Sequence, residues 1–430
     1  MTRALLVLFA LAGCVKERPF ECETSADCAR GDETGVCEPT GFCSFADASC
    51  GQAVRRYGDL AGQGLGGTCV PCVAELAGGT SHLCARRQDG HLQCWGKNDR
   101  GQIGDGSTTE RVLPADVEMN EDGEPLGAVL DIGLGSHHTC AVTESGTYCW
   151  GENSSGQLGD PSLASHPAPT ALSADAISIA AGLSHTCWLE QGGAVECIGD
   201  NAASQLGKDQ DVIPSSTDPV QALASGAAAL ALGAGAFHTC ARMEDDSLRC
   251  WGGNDDGQIG DGSFDNARAP ATVRPAGSTR RAATSDRFSC SVAADGGVFC
   301  WGDNTYGQIG NGGMEDREVP TPVALDGEAT DIALGDDHVC ARLASGELWC
   351  WGSNALGQLG PEAGAMESEP VRVREEAVLL VAAASNTTCF LELSGTVRCM
   401  GAGSSGERGN GREEDGAEPV EVGLSCDTVP

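Results

Sequence analysis

Short apolar runs separated by glycine- and aspartate-rich turns recur along most of the chain. Runs such as "AVLDIGLG", "AISIAAG" and "ATDIALG" read as buried strands. Each leads into a block such as "LGSHHTCAVTESGTYC" or "LGDDHVCARLASGELWC", where strand-like residues flank a central Asp-Gly, Ser-Gly, Gly-Gly or Asp-Asp. That is the pattern of a β-hairpin. A glycine-rich turn follows, as in "CWGKNDRGQIGDG", and then a Pro-x-x-Val-like strand such as "PTPVAL" or "EPVRV". The cysteines that open the glycine-rich turns are Cys94, Cys149, Cys197, Cys250, Cys300, Cys350 and Cys399, with spacings of 55, 48, 53, 50, 50 and 49 residues. Four short strands in each period of about fifty residues make one propeller blade. The pattern therefore predicts an all-β chain whose residues 69–430 form a seven-bladed β-propeller.

A second cysteine precedes each of these by ten residues, or nine in the second copy. Facing residues at a non-hydrogen-bonded site of a hairpin have Cα atoms about 4.5 Å apart, inside the disulfide range. Seven disulfides within blades are expected: Cys84 with Cys94, Cys140 with Cys149, Cys187 with Cys197, Cys240 with Cys250, Cys290 with Cys300, Cys340 with Cys350 and Cys389 with Cys399. A metal site would need thiolates converging from several blades, so no metal is expected. His82, His138, His185, His238 and His338 share one repeat position, two residues before the first cysteine. Equal positions fall at equal radius on separate blades, so each is expected to satisfy backbone groups in its own blade rather than form a ring of ligands. Trp95, Trp150, Trp251, Trp301 and Trp351 share another position and are expected to pack between blades. No Ser/His/Asp set or carboxylate pair stands outside the repeat, so no catalytic residue and no cofactor is expected.

The blocks "GxxHxCA…DGxxxCWGxNxxGQxG" resemble the repeats of the regulator of chromosome condensation family, over residues 73 to about 422. The resemblance implies a seven-bladed propeller. The third copy departs from it at Ile198 and Ser204, the fifth at Phe288, and the seventh at Met400, Gly403 and Glu407. The first copy begins at "CVAELAGG" with no Pro-x-x-Val strand before it, while the last ends in "AEPVEVGLSC". The C-terminal strand is thus expected to complete the first blade and close the ring. On that reading Cys426 pairs with Cys69 or Cys72, of which Cys72 is preferred.

Charge and cysteine usage narrow the setting. Acidic residues number 62 against 26 Lys and Arg, a formal charge of −36. A polyanion is bound through clustered basic residues, so nucleic acid is excluded as a partner, and an anionic membrane surface would repel the chain. The first residues, "MTRALLVLFALAGC", carry one arginine and an apolar run too short to span a bilayer. The Leu-Ala-Gly-Cys ending resembles a bacterial lipobox, which makes residues 1–13 a lipoprotein signal peptide and Cys14 the lipid-bearing residue. The chain would then be anchored to a membrane by lipid alone, outside the cytoplasm, at the outer membrane or cell surface. With Cys14 set aside, 22 of the 23 cysteines remain, an even number, and disulfides persist in oxidising compartments. Residues 14–68 form a separate cysteine-rich module, turn-rich and poor in apolar residues, in which Cys22, Cys28, Cys37, Cys43, Cys50 and the adjoining Cys69 leave their pairing open.

Function is sought where the repeat symmetry breaks. The longest link, "ERVLPADVEMNEDGEPLGAV" (110–129), carries Glu118, Glu121, Asp122 and Glu124, the candidate partner-binding loop. Nuclear members of the family act as nucleotide exchange factors on chromatin, which an acidic, exported-looking chain does not suit. A secreted bacterial propeller of similar repeats inhibits β-lactamase through its face. The resemblance therefore implies a non-catalytic, monomeric, lipid-anchored propeller that binds a protein, cationic if charge guides it. A propeller enzyme acting on envelope or extracellular polysaccharide and a purely structural envelope component are the alternatives.

Overall fold

The computed structural model describes the backbone of five short strands between residues 29 and 57, and residues 72–424 except 232–236 and 275–277. The chain divides into two compact units, Met1–Val70 and Pro71–Pro430. In the first, strands Val36–Cys37 and Cys43–Ala46 pair so that Cys37 lies directly opposite Cys43. Cys14 and Cys426 lie outside the described residues.

The second unit holds seven four-stranded antiparallel sheets, each built from four strands consecutive in sequence. The blades span residues 73–116, 129–172, 176–223, 227–272, 279–323, 329–374 and 378–421. Within each, the hairpin sets the register: Cys84 faces Cys94, and Cys140 faces Cys149. All seven expected hairpin pairs are bonded, with Cα atoms 4.1 Å apart.

The ring closes differently from the sequence expectation. The C-terminal strand Gly416–Glu421 pairs with Val397–Gly401 of blade 7, not with blade 1. Blade 1 has its own outer strand, Arg111–Asp116, bonded to Leu92–Gly96. The physical reason is that every outer strand follows its glycine-rich turn and pairs with the strand before that turn, so none is left over. Blades 7 and 1 instead meet by close packing. A Cβ on Gly78 would lie 2.1 Å from the carbonyl oxygen of Ala383, and the Trp95 indole donates to the Glu407 carbonyl at 2.8 Å. The expected pairing of Cys72 with Cys426 does not depend on which sheet that strand joins: Cys72 and Leu424, two residues before Cys426, pack against one core cluster. Cys72 is disulfide-bonded, and the partner expected for it lies outside the described residues.

Neighbouring blades are joined by one repeated device. His82 is fully buried, and its Nε2 meets the Thr139 hydroxyl of blade 2 at 2.8 Å. That hydroxyl donates to the Gln102 carbonyl at 2.9 Å, and the same carbonyl receives the Trp150 indole N–H at 3.0 Å. The hydroxyl has one proton and has used it, so the imidazole must be the donor, with its hydrogen on Nε2. Nδ1 is then a buried lone pair, and in all five repeat histidines Nδ1 has no partner. The contact repeats as His138 to Thr186, His185 to Thr239, His238 to Ser289 and His338 to Thr388, at 2.7 to 3.0 Å. These histidines thus bond across blades, not within their own as expected. The two blades without the histidine are matched by their neighbours. Phe288 of blade 5 precedes a blade with Val339 in the hydroxyl position, and Thr387 of blade 7 precedes one with Leu83. The hydroxyl appears only where a histidine needs it.

The glycine-rich turns are architecture as well. Fully buried Asn98 donates to the Ser107 and Thr109 carbonyls at 3.1 and 3.0 Å and accepts from the Ile103 N–H at 3.0 Å. Gly104 has φ +84°, and a Cβ there would lie 2.4 Å from Trp150 Nε1. Where the third copy replaces a turn glycine by Ser204, φ stays at +66° and the hydroxyl bonds Gln210 at 2.9 Å.

Candidate functional site

Because these repeated residues are consumed in holding the ring, a partner can meet only positions that differ between blades. One face of the ring is formed by the loops between first and second strands and by the glycine-rich turns. Within a blade the two are joined by backbone: Asp303 N–H donates to the Arg287 carbonyl at 3.0 Å, and Ser353 N–H to that of Asp337 at 2.8 Å. The two loop residues before the histidine position are Thr80-Ser81 in blade 1 and Ser136-His137 in blade 2, but Asp286-Arg287 in blade 5 and Asp336-Asp337 in blade 6.

The result is an acidic cluster over blades 4 to 6. Asp286, Asp303, Asp336 and Asp337 gather with Asp256 from the turn of blade 4, and their charges act on one another. Arg287 stands among them, 3.8 Å from Asp256 and 3.9 Å from Asp303, too far for a direct hydrogen bond. Burial first, and then the neighbouring carboxylates, push Asp286, Asp336 and Asp337 up to about 6. One carboxylate oxygen of Asp286 is buried with no partner, while Asp336 accepts from the Ser385 hydroxyl. The same arc exposes apolar side chains. Phe237 sits one residue before the histidine position of blade 4, and Tyr306 and Leu356 hold in blades 5 and 6 the turn position of Asp256. They are 38%, 43% and 38% exposed. Exposed aromatic side chains such as Phe237 and Tyr306 are of the kind enriched in protein interfaces.

The loop singled out by sequence lies elsewhere. Glu118, Glu121, Asp122 and Glu124 are all exposed, in a link closed by a bridge between Met119 and Pro125. It folds back on the outer strand of blade 2, His166–Leu172. There Glu121 accepts from the Thr170 hydroxyl at 3.1 Å and meets His166 at 3.1 Å. Glu121 is thus occupied in holding the link, and the cluster draws on none of the four. Sequence reading missed the cluster because its members come from three repeats; the signal was Asp-Arg and Asp-Asp before the histidine position. Trp95, Trp150, Trp251, Trp301 and Trp351 are fully buried, so they offer no surface for a ligand. Among the described residues no group of three or more His, Cys, Asp or Glu is placed to hold a metal ion.

Fold and face together define a repeat propeller: a ring of shared residues carrying a surface of unshared ones. The model of the RCC1-like domain matches residues 56–374, and the chain belongs to that family. It is 30% identical over 210 residues to the ultraviolet-B receptor UVR8 of Arabidopsis thaliana, covering 47% of this chain and 46% of that protein. To the E3 ubiquitin-protein ligase HERC2 of Mus musculus it is 27% identical over 208 residues, 47% of this chain and 4% of that one. The chain therefore spans less than half the length of these relatives. Among solved structures, human WBSCR16 is similar with a TM-score of 0.68 at 19% identity, over 78% of this chain and 94% of that one. Yeast RCC1 (Prp20), solved with Kap60 bound to it, gives 0.67 at 22% identity, over 77% and 83%. At these identities the two structures show the fold alone.

Proposed function

We propose that this chain is a non-catalytic, protein-binding propeller that works outside the cytoplasm, held to a membrane by lipid on Cys14, and that it receives a basic partner on the face of blades 4 to 6. The observation that carries the reading is the cluster of Asp256, Asp286, Asp303, Asp336 and Asp337, flanked by exposed Phe237, Tyr306 and Leu356. Half-buried carboxylates raised toward neutrality are destabilising until a cationic group meets them. Lysine or arginine of a partner supplies that charge, and the apolar side chains supply contact area. Yeast RCC1 is a propeller of this fold that binds a protein, Kap60. The hairpin disulfides and the Leu-Ala-Gly-Cys ending support the extracytoplasmic setting.

The test is a pull-down from envelope extracts with the chain lacking its first fourteen residues. A stoichiometric protein should be recovered, and lost with F237A/Y306A/L356A and with D286N/D336N/D337N. Retention of the partner by both variants would refute the assignment of this face. Chemical change in the extract with no protein recovered would favour an envelope-polysaccharide enzyme.

A further inference from the structure

The first strands of blades 1, 2, 3, 5, 6 and 7 line a central cavity of about 540 Å³, of a size that holds small ligands. Each of these strands carries a bulge, as between Val73 and Glu75, and the residue after it is equivalent from blade to blade. Those residues are Glu75, Asp131, Ser178, Arg281, Asp331 and Leu380 in blades 1, 2, 3, 5, 6 and 7, and all line the cavity. Two positions further on the residue is alanine or glycine in every one of these blades, which keeps the lumen open.

Charge in this ring is segregated. On the arc of blades 1 and 2, Arg86 bonds Glu75 at 2.8 Å, which neutralises that pair. Asp131 remains. It accepts from the Ile179 N–H at 2.9 Å and from the Ser178 hydroxyl, and Arg86, already paired with Glu75, is the one cation drawing on it among the described residues, so two carboxylates share one guanidinium. Burial, and for Glu75 the neighbouring Asp131 charge, pushes both carboxyls up even with the Arg86 guanidinium beside them. On the opposite arc, Arg281 forms an ion pair with Asp331, its Nη1 3.1 Å from the carboxylate, and is 57% exposed, so most of its five donors are not used in that contact. Arg342, the cross-strand neighbour of Asp331, keeps that arc cationic, and its Nε is buried with no partner. One arc thus has a surplus carboxylate and the other a surplus guanidinium.

We infer that the central cavity binds a small zwitterion, a molecule carrying both a free ammonium and a free carboxylate, such as an amino acid or dipeptide. The ammonium meets Asp131, and the carboxylate takes the open donors of Arg281. Either charge alone leaves one arc unsatisfied, so both ends are required. The inference is independent of the partner face and survives its failure.

The test is titration calorimetry of the chain, disulfides intact, with three probes: alanyl-alanine, its N-acetyl form and its C-terminal amide. Free alanyl-alanine should bind saturably, and each capped form at least about tenfold more weakly, the loss of one charge-assisted hydrogen bond. D131N should weaken the free dipeptide about tenfold and leave the N-acetyl form unchanged, and R281Q should do the same with the amide. No saturable binding at about 10 mM, or equal binding of the free and capped forms, overturns the inference. The capped probes are read on the unaltered chain, so they decide the matter even where a variant fails to fold.

Discussion

Acidification from pH 7 to 5.5 is expected to destabilise the propeller by several kcal/mol, through the five histidines that join the blades. Burial holds His82, His138, His185 and His238 at about 3 and His338 at about 4, against 6.5 for an open imidazole. A histidine lowered on folding is protonated first in the unfolded chain. Its contribution is complete above pH 6.5 and is lost as pH falls from there toward 3. At pH 5.5 an unfolded imidazole is about nine-tenths charged while the native one is still neutral, a cost of about 1.2 kcal/mol each relative to pH 7. Five such groups lose about 6 kcal/mol. The result depends little on the native values, which need only lie well below 5.5.

Raised carboxyls act in the opposite sense; Glu75, Asp131, Glu196, Asp256 and Glu407 rise less, and three aspartates rise furthest. Asp286, Asp336 and Asp337 are raised to about 6, so the native chain takes up protons first between pH 6 and 4 and gains stability as pH falls. Asp336, the most enclosed, returns about 0.8 kcal/mol over the same interval. Asp286 and Asp337 are more open and screened, so the three together return about 2 kcal/mol at most. The histidines win, with a net loss of about 4 kcal/mol at most, the less-raised carboxyls trimming it further. Urea unfolding followed by the fluorescence of the buried tryptophans, at both pH values, measures this. The double variant H238F/S289V copies the Phe288 and Val339 pair into the preceding junction and should remove about one-fifth of the histidine share, about 1.2 kcal/mol. A midpoint unmoved or raised at pH 5.5, or an unchanged pH dependence in the double variant, would refute the reasoning.

Other perturbations separate architecture from surface. Gly104 and Gly106 have φ +84° and +79°, but only Gly104 has a neighbour in the way of a Cβ. G106A should cost about 1 kcal/mol and G104A about 3 more, read as unfolding midpoints. The double variant C290S/C300S should lose about 3 kcal/mol or less, because each disulfide closes a short loop. At pH 7.5, D336N should raise stability by about 1 to 2 kcal/mol, the relief of a raised carboxyl less the weakening of the Ser385 hydrogen bond, now to a neutral amide oxygen, and the gain should vanish near pH 4.5. Metabolic labelling with an alkynyl fatty acid should mark the full chain and not C14S.

The blades, their number and the hairpin cysteines were legible because each repeat encodes them locally, within reach of one hairpin. Ring closure was not. A repeat can be cut before or after its outer strand, and the sequence alone does not choose; the pairing of Gly416–Glu421 with Val397–Gly401 does. The junctions were hidden for a related reason: His82 has to be read against Thr139, in the next copy. Once that register is known, departures from the repeat sort into two kinds. Phe288 is answered by Val339 and Thr387 by Leu83, so those changes cancel inside the ring and carry no message to a partner. Asp286, Asp336 and Asp337 are not cancelled. Each is a carboxylate raised by burial beside other carboxylates, with Arg287 too distant to bond Asp256 or Asp303 directly. An uncompensated departure in a ring that compensates its others is the feature on which the proposed basic partner rests, since a cationic surface is the chemistry that would meet it.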